Sequence, residues 1–199
     1  MKTRNPLRRI GIFGGSFDPP HSGHLILAQS ALNQLRLDKV IFLPAYRAPH
    51  KRGKRPTSAA SRFRMSQLAV SGNARFEVSD IEIRRKGVSY THKTVAQISR
   101  DYPEAKLFLI IGGDNFAQFH TWKMPDEILR LASLAVYRRS GEVHTQPRRF
   151  SKNILLLRGP LVNISSSEIR SRVEMGKTIR YLVPEKVRKF IASRKLYGS

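Results

Sequence analysis

Apolar residues along the chain fall in short unbroken runs, and between them lie longer stretches with apolar positions three and four apart. RIGIFGG (9–15) is an apolar run closed by glycines, and GHLILAQSALNQLRL (23–37) carries helical spacing. KVIFLPA (39–45) reads as a buried strand. SAASRFRMSQLAVSG (58–72) reads as a helix that Ser58 or Ser61 can cap and Gly72 can end. ARFEVSDIEIRRKG (74–87) alternates and predicts extended chain, whereas THKTVAQISRDYP (91–103) predicts a helix stopped near Pro103. AKLFLIIGGD (105–114) is the most strand-like run, apolar enough to be covered on both faces. PDEILRLASLAVYRR (125–139) predicts a helix feeding a strand, NILLLRGP (153–160) a last strand, and two helices follow from about Ser165 and Pro184. Such alternation predicts an α/β fold: a parallel sheet with helices on both faces and right-handed crossovers. Its ligands are expected beyond the C-terminal strand ends.

Length and composition narrow this picture. With 199 residues, 40% of them hydrophobic, the chain can bury one substantial core, and a single domain over 1–199 is expected. It has no cysteine, which excludes disulfides and thiolate metal sites. No apolar run approaches the roughly 18 residues of a membrane span. The basic start, MKTRNPLRR, leads into an apolar segment too short for a signal peptide, so a cytoplasmic protein with no membrane partner is expected. Lysine and arginine number 37 against 14 acidic residues, for a net charge of +23. That excess fits either attraction to polyanions or a solvated basic surface, and it is spread along the chain rather than gathered in a tail. A basic extension (1–8) and two basic, breaker-rich stretches, about 46–57 and 138–153, are expected to be irregular, the latter two as mobile loops. A homo-oligomer is left open.

The chemistry concentrates after the first strand, in GIFGGSFDPPHSGH (11–24). Gly14 and Gly15 let backbone approach a ligand closely and expose amide donors. Pro19 and Pro20 end the strand, and Pro20 can pre-set the first turn of the following helix. His21 and His24 then fall on one face at a helix start. Two imidazoles beside the positive end of a helix suit a phosphate chain better than a metal cation. The motif is neither a Walker A loop nor G-x-G-x-x-G. Taken singly, such histidines more often cap and pack. A second candidate, NISSSEIR (163–170), is a helix N-cap whose hydroxyls and Arg170 could also clamp phosphate.

GGSFDPPHSGH resembles the H-x-G-H signature of the nucleotidyltransferase superfamily, and NISSSEIR resembles its I-S-S-T-x-I-R segment. Within that superfamily, GVSYTHKTV (87–95), IIGGDNFAQFHTW (110–122) and PAYRAPHK (44–51) resemble the bacterial nicotinate-mononucleotide adenylyltransferases. The last departs at Ala48, where proline is usual, and at Ala45–Tyr46, where some members carry asparagine. The resemblance covers nearly the whole chain and implies a Rossmann-like nucleotidyltransferase fold.

It also implies roles for residues. His21, His24 and Arg170 would act on the phosphates as catalytic groups. Phe13, Gly14, Gly15, Ser16, Phe17, Gly113, Asp114, Ile164, Ser165, Ser166 and Ser167 would bind ATP, with Gly113 and Asp114 ending the buried strand near the ribose. Tyr90, Thr91, Trp122 and Lys51 would bind nicotinate mononucleotide. A lone tryptophan is more often core; the resemblance instead stacks the pyridine ring on Trp122. No metal ligands are implied, and Mg²⁺ would ride on the ATP phosphates. The implied reaction is adenylyl transfer from ATP to nicotinate mononucleotide, giving deamido-NAD and pyrophosphate. Its rivals are a related adenylyltransferase acting on nicotinamide mononucleotide or phosphopantetheine, and a basic nucleic-acid-binding protein, which would leave both signatures unexplained.

Overall fold

Residues 107–111 are apolar without a break, and a strand of that kind has to be covered on both sides. In the computed structural model, which describes residues 8–49, 57–137, 150, 153–160 and 162–198, that strand lies in the middle of a sheet. The elements run β1 (Arg9–Gly15), α1 (Ser22–Gln34), β2 (Lys39–Pro44), α2 (Ala59–Val70), β3 (Phe76–Val78), α3 (Ile81–Arg85), α4 (Thr91–Asp101) and β4 (Lys106–Gly112). After these come α5 (Gly113–Ala117), α6 (Pro125–Leu131), β5 (Ala132–Tyr137), β6 (Ile154–Leu157), α7 (Ser166–Glu174) and α8 (Glu185–Ser193). All strand pairs are parallel, in the order β3-β2-β1-β4-β5-β6. The direction of winding reverses between β1 and β4, and this doubly wound order places a crevice at that point.

Alternation along the strands sorts side chains onto two faces. Ile10 and Ile12 of β1 join Leu107, Leu109 and Ile111 of β4 in one cluster, covered by Val95 and Ile98 of α4 and Ile128 of α6. Phe13, Phe108 and Ile110 point the other way and meet Ala28, Ala31 and Leu32 of α1. A third cluster joins Met65 and Ala69 of α2 to Ile169 and Val173 of α7 and Val187 and Ile191 of α8. Helices therefore cover both faces, as the pattern predicts. Among the described residues no helix is long and apolar enough to cross a membrane.

Two local expectations fail. The alternating stretch 74–87 is extended only over Phe76–Val78; Ile81–Arg85 is a helical turn. Five residues are too few to tell a period of two from one of 3.6, and here Glu82 turns inward to accept a 2.7 Å hydrogen bond from Thr94 Oγ1. Gly113 and Asp114 do not end β4 but begin α5, directly after the strand. The basic extension lies outside the described residues up to position 7, as do most of 46–57 and of 138–153.

Side chains from the α1–β2 connection and β4 crowd β1 at Gly11, where an added Cβ would sit 2.8 Å from Leu37 Cδ1 and 3.0 Å from Ile110 Cδ1. Overpacking a core contact of this kind typically costs about 1–3 kcal/mol. Gly11→Val is therefore expected to lower the unfolding free energy by that amount in urea denaturation, despite valine's preference for strands.

Candidate functional site

The chain leaving β1 has to turn into α1 within six residues, and two prolines and a glycine pair shape that turn. Phe17 holds it from below. Its φ is +48°, an uncommon conformation for a bulky residue, and its ring is 2% exposed against Phe13 (5.6 Å) and His24 (5.0 Å). His21 is the N-cap of α1 and His24 stands one turn on. The two rings stack with centroids 3.7 Å apart.

The stacking depends on Gly23, where a Cβ would lie 3.0 Å from His21 Nδ1 and 3.4 Å from Val162 Cγ1. The His21 backbone N–H donates to His24 Nδ1 at 3.2 Å. With Nδ1 accepting, the proton of a neutral His24 resides on Nε2. Burial lowers the pKa of His21 from 6.5 to about 4, so that ring is neutral at pH 7. His21 Nδ1 itself is buried without a hydrogen-bond partner among the described residues. The pair thus offers neutral N–H donors rather than two fixed cations.

Above these rings opens a cavity of about 810 Å³ at the C-terminal ends of β1 and β4, the size and place expected of a ligand site in such a sheet. Phe13, Gly14, Gly15, Ser16, His21 and His24 line it from the β1–α1 turn, and Gly113 and Asp114 from the start of α5. Ile164, Ser165, Ser166 and Ser167 line a third side at the start of α7, where Ser165 caps the helix by accepting from Glu168 N–H at 3.1 Å. Tyr90, Thr91 and Trp122 line the far end. Segments far apart in sequence thus meet at one opening. Trp122 faces the cavity and packs on Phe119, ring centroids 5.4 Å apart.

Two predicted residues stand elsewhere. Phe17 lies beneath the turn, away from the cavity surface. Arg170 does not line the cavity; its guanidinium donates to the Asp18 carbonyl at 2.8 Å and approaches Ser167 Oγ at 3.4 Å. Lys51 lies outside the described residues. The cavity also gathers residues that motif reading passed over, among them Glu82, Thr94, Asn115 and Lys123. Lys123 holds its ammonium 4.9 Å from the Tyr90 ring centroid. Its place beside Trp122 was the available signal, whereas Glu82 sat in a stretch read as extended.

A model of the cytidylyltransferase-like family matches residues 12–172. A protein of Desulfitobacterium hafniense named "probable nicotinate-nucleotide adenylyltransferase" is 43% identical, covering 99% of each chain. One of the same name from Geobacillus thermodenitrificans is 42% identical over 96% of this chain and 87% of that protein. Among solved structures, the Plasmodium falciparum nicotinic acid mononucleotide adenylyltransferase complexed with NaAD superposes with a TM-score of 0.75 at 18% identity, covering 96% of this chain and 97% of that one. At that identity the likeness is one of fold.

The buried neutral His21 has a consequence for stability. As pH falls, the unfolded chain takes up the proton near 6.5, and the folded chain only near 4. The stabilisation is complete above 6.5, lost between 6.5 and 4, and constant below. In the absence of nucleotide, this one group should lower the unfolding free energy by up to about 3 kcal/mol over that window. Denaturant titrations at pH 7, 5.5 and 4 are expected to show the slope, and His21→Gln to flatten it.

Proposed function

This chain belongs to the cytidylyltransferase-like family and, within it, to the nicotinate-nucleotide adenylyltransferases, and on that premise we propose how its cavity joins ATP to nicotinate mononucleotide, giving deamido-NAD and pyrophosphate. The observation that carries the assignment of subsites is the meeting, in one cavity, of the stacked His21–His24 pair, the capped start of α7 and the Trp122–Thr91 end.

The triphosphate lies over the β1–α1 turn. Gly14, Gly15 and Ser16 contribute close-approaching backbone, and Phe13, Gly113, Asp114, Ile164 and Ser165 border the nucleoside, with the Asp114 carboxylate able to accept from ribose hydroxyls. Ser166, Ser167 and the free amides of α7 face the phosphates from the opposite side. Phe17 shapes the turn from below, and Arg170 holds it through Asp18 while adding positive charge nearby. The mononucleotide occupies the far end. Its pyridine ring stacks on Trp122, and its carboxylate meets the first amides of α4 at Thr91, beside Tyr90. Lys51, in the basic segment after Pro49, remains a proposed contact to the mononucleotide.

The reaction is a displacement at phosphorus. An oxygen of the mononucleotide phosphate attacks the α-phosphorus of ATP in line. The bond from that phosphorus to the α,β-bridging oxygen breaks, and pyrophosphate departs with the electron pair. The attacking phosphate is already ionised at neutral pH, so no strong general base is required. Catalysis then comes from alignment and from donors aimed at developing charge. His24 donates through Nε2 and His21 through its neutral ring, and neither needs to lose a proton during the transfer. Magnesium enters as part of the ATP substrate. Among the described residues no cluster of three His, Asp or Glu side chains could hold a metal.

Pyrophosphate release is expected to require ATP, magnesium and the mononucleotide together. The acid should be used with a kcat/KM at least roughly tenfold above the amide, because a charged acceptor gains charge-assisted bonds that a carboxamide cannot make. Trp122→Ala should raise the mononucleotide KM by about tenfold and leave the ATP KM nearly unchanged. Equal kcat/KM for acid and amide would overturn the pyridine subsite without touching adenylyl transfer. His24→Ala should lower kcat by roughly a hundredfold or more at unchanged Tm; an active folded variant would remove His24 from the phosphates.

A further inference from the structure

Arg62 of α2 is 2% exposed, among the most buried side chains of the protein, and does not line the cavity. A guanidinium so placed is costly unless each donor is satisfied. Its three nitrogens reach three backbone carbonyls on three different segments. Nη1 donates to Ser16 (2.8 Å) in the β1–α1 turn, Nη2 to Tyr46 (3.1 Å) just beyond β2, and Nε to Thr57 (2.9 Å) just before α2. Its charge is offset by the buried Asp18 carboxylate, which in turn accepts from the Thr57 N–H (3.1 Å) and the Tyr197 hydroxyl (2.6 Å).

The Tyr46 end of this arrangement continues. The Tyr46 N–H donates to Ser89 Oγ at 2.9 Å, and the Ser89 N–H donates to the Arg47 carbonyl at 2.9 Å. Ser89 is buried and directly precedes Tyr90 and Thr91 at the start of α4. A continuous hydrogen-bonded path therefore runs from Ser16 through Arg62 and Tyr46 to Ser89. It leads from the turn under the stacked histidines to the wall at the Trp122 end of the cavity. An anchor for α2 alone would need only the Thr57 bond, within its own N-terminal approach.

We propose that Arg62 is a positioning residue that sets the β1–α1 turn and the start of α4 in one register, so that the two ends of the cavity are held at a fixed separation. The naming of those ends as triphosphate and pyridine subsites rests on the function proposed above; the register itself does not. A lysine cannot replace this fork, because an ammonium on a flexible stem cannot reach three diverging carbonyls.

The test uses Arg62→Lys and begins without nucleotide, so it stands apart from the assigned reaction. Amide hydrogen exchange is expected to rise at least roughly tenfold both at 14–18 and at 88–91, with β4 and β5 amides exchanging as in the wild type. A rise confined to residues 57–62 would make Arg62 a local anchor and overturn the proposal. In turnover assays well below the Tm, Arg62→Lys should raise both substrate KM values, and Ser89→Ala should add little in that background, since both lie on one path. Additive effects would overturn it. If Arg62→Lys fails to fold, Ser89→Ala in the otherwise intact chain opens the path at its other end. Faster exchange reaching 14–18 then supports the proposal, and exchange confined to 88–91 overturns it. Inactive wild-type protein with the expected exchange pattern would instead count against the proposed reaction.

Discussion

A turn that receives phosphate groups has to keep its carbonyl oxygens away from them. Peptide units carry donor and acceptor at opposite ends, so a turn rich in amides presented to an anion needs its carbonyls bound from behind. The β1–α1 turn, proposed above to face the triphosphate, meets that constraint. The Ser16 carbonyl accepts from Arg62, the Asp18 carbonyl from Arg170, and the Pro19 carbonyl from Ser166 Oγ at 2.9 Å. Two arginines therefore do their electrostatic work one layer below the cavity surface, where they orient backbone dipoles and leave the cavity-facing side to glycines and the histidine pair.

Neutrality of the histidines follows from the same layering. His21 is pressed against His24, too buried to take up a second ring proton at pH 7. A neutral donor loses less solvation when a ligand arrives than a cation would, and it holds its proton while charge develops on the transferred group. The large positive excess of the chain, +23, does not reside in this pair.

The sequence was most legible where chemistry and periodicity coincided. The seven residues of β1, ending in Gly14 and Gly15, followed by S-F-D-P-P-H-S-G-H announced strand, turn and helix start together, and all three are found there. The Ser165 cap and the strand at 106–112 were equally plain. What escaped is what tertiary contact decides. The pattern I-E-I-R at 81–84 is helical because Glu82 finds Thr94 across α4, a partner no local spacing reveals. Phe17 reads as part of a glycine-rich ligand loop, yet its positive φ turns the ring into the core. Arg62 looks like one polar residue on an amphipathic helix. Its burial depends on three carbonyls from segments that only the finished fold brings near.

The same contacts explain why two signatures nearly a chain length apart must occur together. α7 carries Ser166 and Arg170 to Pro19 and Asp18 across separations of 147 and 152 residues, and Tyr197 reaches Asp18 across 179. The start of α1 is pinned in parallel, with the Ser22 amide on the Leu182 carbonyl at 2.9 Å. Bonds of this range form only after the intervening sheet is in place, because each closes a loop whose entropy other contacts must already have offset. The β1–α1 turn therefore cannot be organised by its own residues, however distinctive they are. Its geometry is delivered by the third apolar cluster, where Met65, Ile169 and Val187 hold α2, α7 and α8 together. That helical cluster, none of whose buried residues lines the cavity, is what holds the H-x-G-H turn in its geometry.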